Sequence, residues 1–241
     1  MERHVLPVSS RSRLRRKKER GSNDLAVVNS ILDEGLLCHV GFADGDSTFV
    51  LPTTYARVGD HLFLHGAAGN RMLATLASGV PACIAVTLLD GLVLARSAFH
   101  HSMNYRSVVL FGTGRHLEDP AEKRTVLLAT LEHMAPGRSA DARPPSDAEL
   151  RSTLVISFPI EEGSAKVRTG GPIEEPEDLG LPVWAGQLPF AVVAGVPVAD
   201  DRVGTMGPPP SYVVDYSREQ DTPDARPPPA EAGERGPARS K

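Results

Sequence analysis

Aromatic side chains are scarce in this sequence: seven Phe, four Tyr and one Trp, 5% of the chain. So few stacking surfaces argue against recognition of single-stranded nucleic acid. Cysteine is scarcer still. Cys38 and Cys83 are the only two, and each sits in an apolar run. That excludes a disulfide framework and suggests reduced, buried thiols of a cytosolic protein. No stretch reaches the roughly 18–20 apolar residues of a membrane helix. The N-terminus lacks the apolar core of a signal peptide. The expectation is a soluble, cytoplasmic protein with no membrane partner. With 30 acids against 26 Lys and Arg, the formal net charge is −4, so the molecule as a whole is no polyanion binder.

What the chain does have is 22 Gly and 21 Pro in 241 residues, more than an average domain carries. That excess favours turns and irregular ends over a helical bundle. Three regions follow. Residues 1–20 hold Arg3, Arg11, Arg13, Arg15, Arg16, Lys17, Lys18 and Arg20 against Glu2 and Glu19, and read as a flexible basic arm. Residues 21–200 carry the periodic apolar pattern of a domain. Residues 201–241 are rich in Pro and charge and read as a disordered tail.

Within the domain, Leu25, Val28, Ile31 and Leu32 recur at helical spacing, with Ser22 or Asn23 as N-cap and Gly35 as stop. Strands are expected over 36–42, 47–58 and 61–66, joined by the tight turns of an antiparallel meander. A short helix over 69–79 follows, then strands over 81–97 and 105–117. Asp119-Pro120 opens a helix that offers Val126, Leu127, Leu131 and Met134 to the core. Ser146 and Glu149 form a capping-box pair, and 153–168 reads as one last strand. About six strands with connections too short for parallel crossovers make a mostly β fold, a small closed or half-closed antiparallel barrel with accessory helices.

Three stretches are more polar than this frame requires. In LPTTYAR (51–57), Pro52 removes a ladder donor, which belongs at an edge or bulge; Leu51, Pro52, Thr53 and Thr54 there offer a strand against which a planar ligand could lie. In HGAAGNRM (65–72), Gly66 permits close backbone approach, and Asn70 and Arg71 open a helix where free N–H groups and a guanidinium suit a phosphate. A loop that merely turns the chain is the competing reading. In FHHSMNYRS (99–107), His100, His101, Ser102, Asn104, Tyr105 and Arg106 crowd between apolar strands, a density that needs a polar ligand or a subunit interface. His100 and His101 are adjacent and would face opposite ways along a strand, so no metal is expected. GxSxG is absent, and Gly112-Thr113-Gly114 leads to no dinucleotide-binding helix. Trp184 reads as a core anchor or a lid, and Lys166 and Arg168 as a solvated face or an anion contact.

CHVGF, PTTYARVGDHLFLHG, TLLDGLVLARSAFHHSMNYRSVV and PVWAG together resemble the pyridoxamine 5′-phosphate oxidase-related family of flavin-binding split-barrel proteins, in particular its flavin-nucleotide-binding branch. The resemblance spans roughly residues 13–190 and implies a six-stranded antiparallel split β-barrel, a homodimer and FMN at the subunit interface. It implies that 51–54 run along the flavin ring. Arg71 then meets the phosphate, beside Asn70 and Met72, with His65 and Gly66 as close neighbours. The second subunit supplies His101, Ser102, Asn104 and Arg106. No residue is marked as a general acid or base, and the pyridoxal phosphate-binding residues of the true oxidases are not recognisable. The implied activity is a flavin-dependent oxidoreductase of unidentified substrate. The alternatives are a non-enzymatic flavin-sequestering protein and a split barrel that binds haem, through His65 or His101, or the deazaflavin F420.

Overall fold

The structure is a computed structural model and describes residues 4–200 and 207–217. In chain order it contains β1 (Gly21–Ser22), α1 (Leu25–Glu34), β2 (Leu37–Asp44), β3 (Ser47–Thr54), β4 (Ala56–Val58), β5 (His61–Ala67), α2 (Arg71–Ala77) and β6 (Pro81–Leu94). Then come β7 (Ser102–Thr113), β8 (Arg115–His116), α3 (Pro120–Met134), α4 (Arg138–Asp141), α5 (Asp147–Ser152), β9 (Thr153–Pro159), β10 (Gly163–Arg168), β11 (Gly186–Pro189) and α6 (Ser211–Val214). Every strand pairing is antiparallel. The large sheet runs β1-β10-β7-β6-β2-β3, with β11 added to β6; the small sheet runs β4-β5-β9-β8. The two sheets do not close on each other, which makes this a split barrel.

The split arises where the sequence suggested one strand over 47–58. Tyr55 interrupts it. Its ring is fully buried and its hydroxyl donates to the Leu32 carbonyl of α1 at 2.7 Å, so the chain turns inward there and continues as β4 in the other sheet. The stretch 153–168 likewise divides into β9 and β10, which lie in different sheets. The expected meander is therefore two hairpins, β2–β3 and β4–β5, one in each sheet. Alternation along the strands fills the space between the sheets. Cys38, Val40 and Phe42 of β2 meet Ile84 and Val86 of β6, Val108 and Leu110 of β7, Leu62 and Leu64 of β5, and Phe158 of β9 in one core. Burial also raises the Cys38 thiol to about 12, so it stays protonated at neutral pH.

All three expected helices, α1, α2 and α3, form. α1 buries Val28, Ile31 and Leu32, but its N-cap is Asp24, whose carboxylate accepts from the Ala26 N–H. Ser22 and Asn23 are otherwise engaged: Ser22 lies in β1, and Asn23 donates to the Gly163 carbonyl at 2.9 Å. α3 starts at Asp119-Pro120 as expected, yet its buried stripe is Lys123, Val126 and Thr130. Lys123 Nζ donates to the Leu150 and Thr153 carbonyls, which is why a lysine can be inside. The Ser146–Glu149 capping box is present.

The basic arm is corrected over its described part. Leu6 is 1% exposed and belongs to the main core. Its N–H donates to the Asn23 carbonyl at 2.8 Å, and Ser9 and Arg11 bind Glu162. Arg11 also stacks 5.2 Å from the Phe111 centroid. Short apolar residues outside any helical or strand period carry no sequence signal for such docking. The expected disordered tail is corrected over 207–217, where Tyr212 bonds Asp141 and Tyr216 donates to the Met134 carbonyl; 201–206 and 218–241 lie outside the described residues.

Candidate functional site

The open side of the barrel is bounded by β3, an edge strand as Pro52 suggested. Phe49, Leu51 and Thr53 pair with Phe42, Val40 and Cys38, whose side chains are buried, so these three share the inward face. Phe42 and Phe49 stack with centroids 5.5 Å apart. The Arg71 guanidinium lies 4.9 Å from the centroid of Phe49, exposed, with no ion pair among the described residues. Phe49 thus positions the cation by its ring face. Sequence reasoning missed Phe49, because an aromatic in a strand reads as core.

Asn70 caps α2, its side chain accepting from the Leu73 N–H at 3.2 Å. α2 has only seven residues, and this cap takes one of its free N–H groups. Arg71, more than the helix end, therefore carries the attraction for an anion at this place. Gly66 faces the same way: a Cβ there would come within 3.0 Å of Leu73 and 3.6 Å of Asn70. Met72 is 3% exposed and is a core residue between the sheets. Along β5, Leu62 and Leu64 point into the core, so His65 points with Phe63 to the opposite face. There Phe63 packs on a second cluster formed by Leu117, Val126 and Val155. His65 Nδ1 is buried without a partner, and burial pushes the imidazole below its ordinary 6.5. The folded protein keeps this ring neutral, whereas the unfolded chain binds a proton below that value. Stability should therefore fall as pH drops through 6.5 and level off below the depressed value. Melting temperatures from pH 8 to pH 5 check this: the His65→Gln chain should lose less over the range than the unsubstituted chain, and equal losses would clear His65.

The polar run 99–107 is only partly free for a ligand. Ser102, Asn104 and Arg106 lie in β7, which starts earlier than expected. Arg106 donates to Glu34 and to Asp90, and these two carboxylates raise its pKa against the cost of desolvation. Asn104 accepts from Arg168 and donates to Gln187 at 2.8 Å. Arg168, read as a solvated or anion-facing residue, is 5% exposed and also donates to the Gly170 and Gly171 carbonyls. Asn104 and Arg106 thus bond to internal networks within the single chain. His101 differs. It is exposed, and its Nδ1 lies 3.0 Å from the Ser97 carbonyl. A carbonyl only accepts, so Nδ1 is the donor in this bond. Exposed Phe99 and Met103 flank it. Trp184 is 67% exposed and anchors no core.

β2 and β6 separate β3 from β7, three strand spacings of about 4.8 Å each. Within one chain the structure therefore gathers Leu51, Thr53, Gly66, Asn70 and Arg71 on one side of the barrel and places His101, Ser102, Asn104 and Arg106 on another. Among the described residues no group of three or more His, Cys, Asp or Glu could hold a metal ion. No helix there is long and apolar enough to cross a membrane.

A family profile described as pyridoxamine 5′-phosphate oxidase matches residues 24–167. The chain is similar to the flavocytochrome Anf3 from Azotobacter vinelandii, at 35% identity and a TM-score of 0.81, covering 87% of this chain and 97% of that one. It is also similar to the FAD and haem binding protein from Mycobacterium smegmatis, at 34% identity and a TM-score of 0.78, covering 81% and 96%. No curated protein matches.

Proposed function

From the premise that the chain belongs to the pyridoxamine 5′-phosphate oxidase family, we propose that it binds a flavin nucleotide on the open side of the barrel and serves as a flavin-dependent oxidoreductase, working as a homodimer. The observation that carries this reading is Arg71, a guanidinium steadied on Phe49 and free of any ion pair among the described residues. A cation held ready and unneutralised beside an aromatic ring at an edge strand suits a phosphate. Thr53 and the unpaired edge of β3 supply polar groups for a ring, and Leu51 and Phe49 supply an apolar bed. A bound flavin supplies hydride and electron transfer; the chain binds and orients it. The resemblance in the sequence pointed to FMN. The likeness to a protein that binds FAD and haem supports FAD as the flavin.

Arg71→Ala should weaken flavin binding roughly 10- to 150-fold, the loss of one charge-assisted contact of about 1.5–3 kcal/mol. Fluorescence titration with FMN and with FAD measures it and ranks the two. Equal affinity of mutant and wild type would remove Arg71 from the site. Inability of the wild type to take up either flavin would sink the reading.

A second reading, that the chain also binds haem, is favoured by His101. Its Nδ1–H is held by a backbone carbonyl, as the outer nitrogen of a metal-ligating imidazole commonly is, and exposed apolar side chains flank it. Nε2 of His101 would be the atom that holds the haem iron. A Soret band on addition of haemin, shifted or lost in His101→Ala, tests it separately from the flavin.

A further inference from the structure

Beyond β11 the chain does something that nothing in the flavin reading uses. The Phe190 N–H donates to the Asp90 carbonyl at 3.0 Å, and from there to Ala199 there is no regular structure. The segment reads Phe-Ala-Val-Val-Ala-Gly-Val-Pro-Val-Ala, without one charged or hydroxyl side chain. Val192, Val193, Val196 and Val198 are 103%, 81%, 90% and 94% exposed. The segment is tethered at both ends. β11 is paired with β6 before it, and Tyr212 and Tyr216 are bonded to Asp141 and Met134 after it. It is thus an apolar strap, held clear of its own barrel, with a reach of up to about 33 Å. Single exposed apolar residues are ordinary, but a contiguous run of them marks a contact surface.

The outer face of the large sheet also carries exposed apolar side chains. On the large sheet, side chains alternate with the buried Cys38, Val40, Ile84 and Val86, so Leu37, Val50 and Leu89 lie on the outer face. They are 47%, 63% and 46% exposed. Since strap and face are both bare in one chain, neither covers the other. Two copies related by a two-fold axis present one strap and one face each, and such an arrangement satisfies both surfaces twice over. We propose that the strap 190–199 lies across the outer face of the large sheet of a second copy of this chain, which returns its own strap in exchange. This rests on the homodimer reading and adds to it the element that joins the subunits.

The test is a complementation between two variants of the full chain. Val192→Asp with Val193→Asp spoils the strap; Val50→Asp with Leu89→Asp spoils the face. Each pair of sites is exposed in the single chain, and circular dichroism confirms that each variant folds. Sedimentation should show each variant dimerising at least about 100-fold more weakly than the wild type, because each replaces two apolar side chains of the contact by charges in both subunits. Mixing the two should restore dimers, since the heterodimer keeps one intact strap on one intact face. No restoration on mixing, or a strap variant that dimerises like the wild type, overturns the proposal while the dimer reading stands. A wild type that sediments as a monomer overturns both. Hydrogen exchange on the wild type is an independent check. Amides of 191–198 should be protected in the dimer alone, and protection that needs added phosphatidylcholine vesicles would assign the strap to a lipid surface instead.

Discussion

Arg106→Met should lower the free energy of unfolding by about 3 kcal/mol, toward the lower end of what breaking a buried ion pair costs. The side chains of Arg106, Glu34 and Asp90 are only 22%, 21% and 28% exposed. One guanidinium serves both carboxylates, donating to Glu34 at 2.8 Å and to Asp90 at 2.8 Å. Removing it leaves two like charges facing each other at half-buried positions. The triple variant Arg106→Met, Glu34→Gln, Asp90→Asn should recover most of the loss, because the repulsion of the two carboxylates is what costs stability. Urea denaturation of the single and triple variants measures both terms. A single variant as stable as the wild type would show the triad to be solvated, as surface pairs commonly are.

Leu6→Ala should cost about 2–5 kcal/mol, the range for emptying a leucine site in a core. The composition of residues 1–20 leads to the opposite expectation, that the first twelve residues are dispensable. The structure sets Leu6 among Val28, Ile31 and the rest of the main core. It is pinned there by backbone bonds from Leu6 to Asn23 and from Leu25 to His4. A chain beginning at residue 13 should therefore melt several degrees lower than the full chain. Thermal melts of the substitution and the truncation check this together, and an unchanged melting temperature in both would return these residues to the solvated arm.

The contrast between Leu6 and its surroundings shows what limits a reading of sequence. Leu6 belongs to a four-residue apolar run, Val5 to Val8, with no helical or strand period and next to a basic stretch, and only the sheet it meets tells that it is inside. Lys123, Thr130 and Arg168 are the same problem in reverse. Polar residue types suggest exposure, but backbone carbonyls within reach accept their protons and make burial affordable. Residues with strictly local causes were legible. Asp119-Pro120 starts α3, Ser146 and Glu149 cap α5, and Pro52 lies on an edge strand.

The candidate site divides along the same line. Arg71, Gly66, Thr53 and the β3 edge were visible as a polar break in an apolar pattern, and the structure gathers them on one side of the barrel. Asn104 and Arg106 were equally visible as polar, but their partners Gln187, Glu34 and Asp90 are 16 to 83 residues away. Pattern and turn chemistry act within a few residues, so the sequence by itself determined the strands, the helices, the antiparallel fold class and the polar stretches. The division into two sheets at Tyr55, the docking of Leu6, the strap left bare beyond β11 and the partners of each buried charge were decided by tertiary structure. These depend on which distant groups fill the same space, and a local pattern holds no information about that.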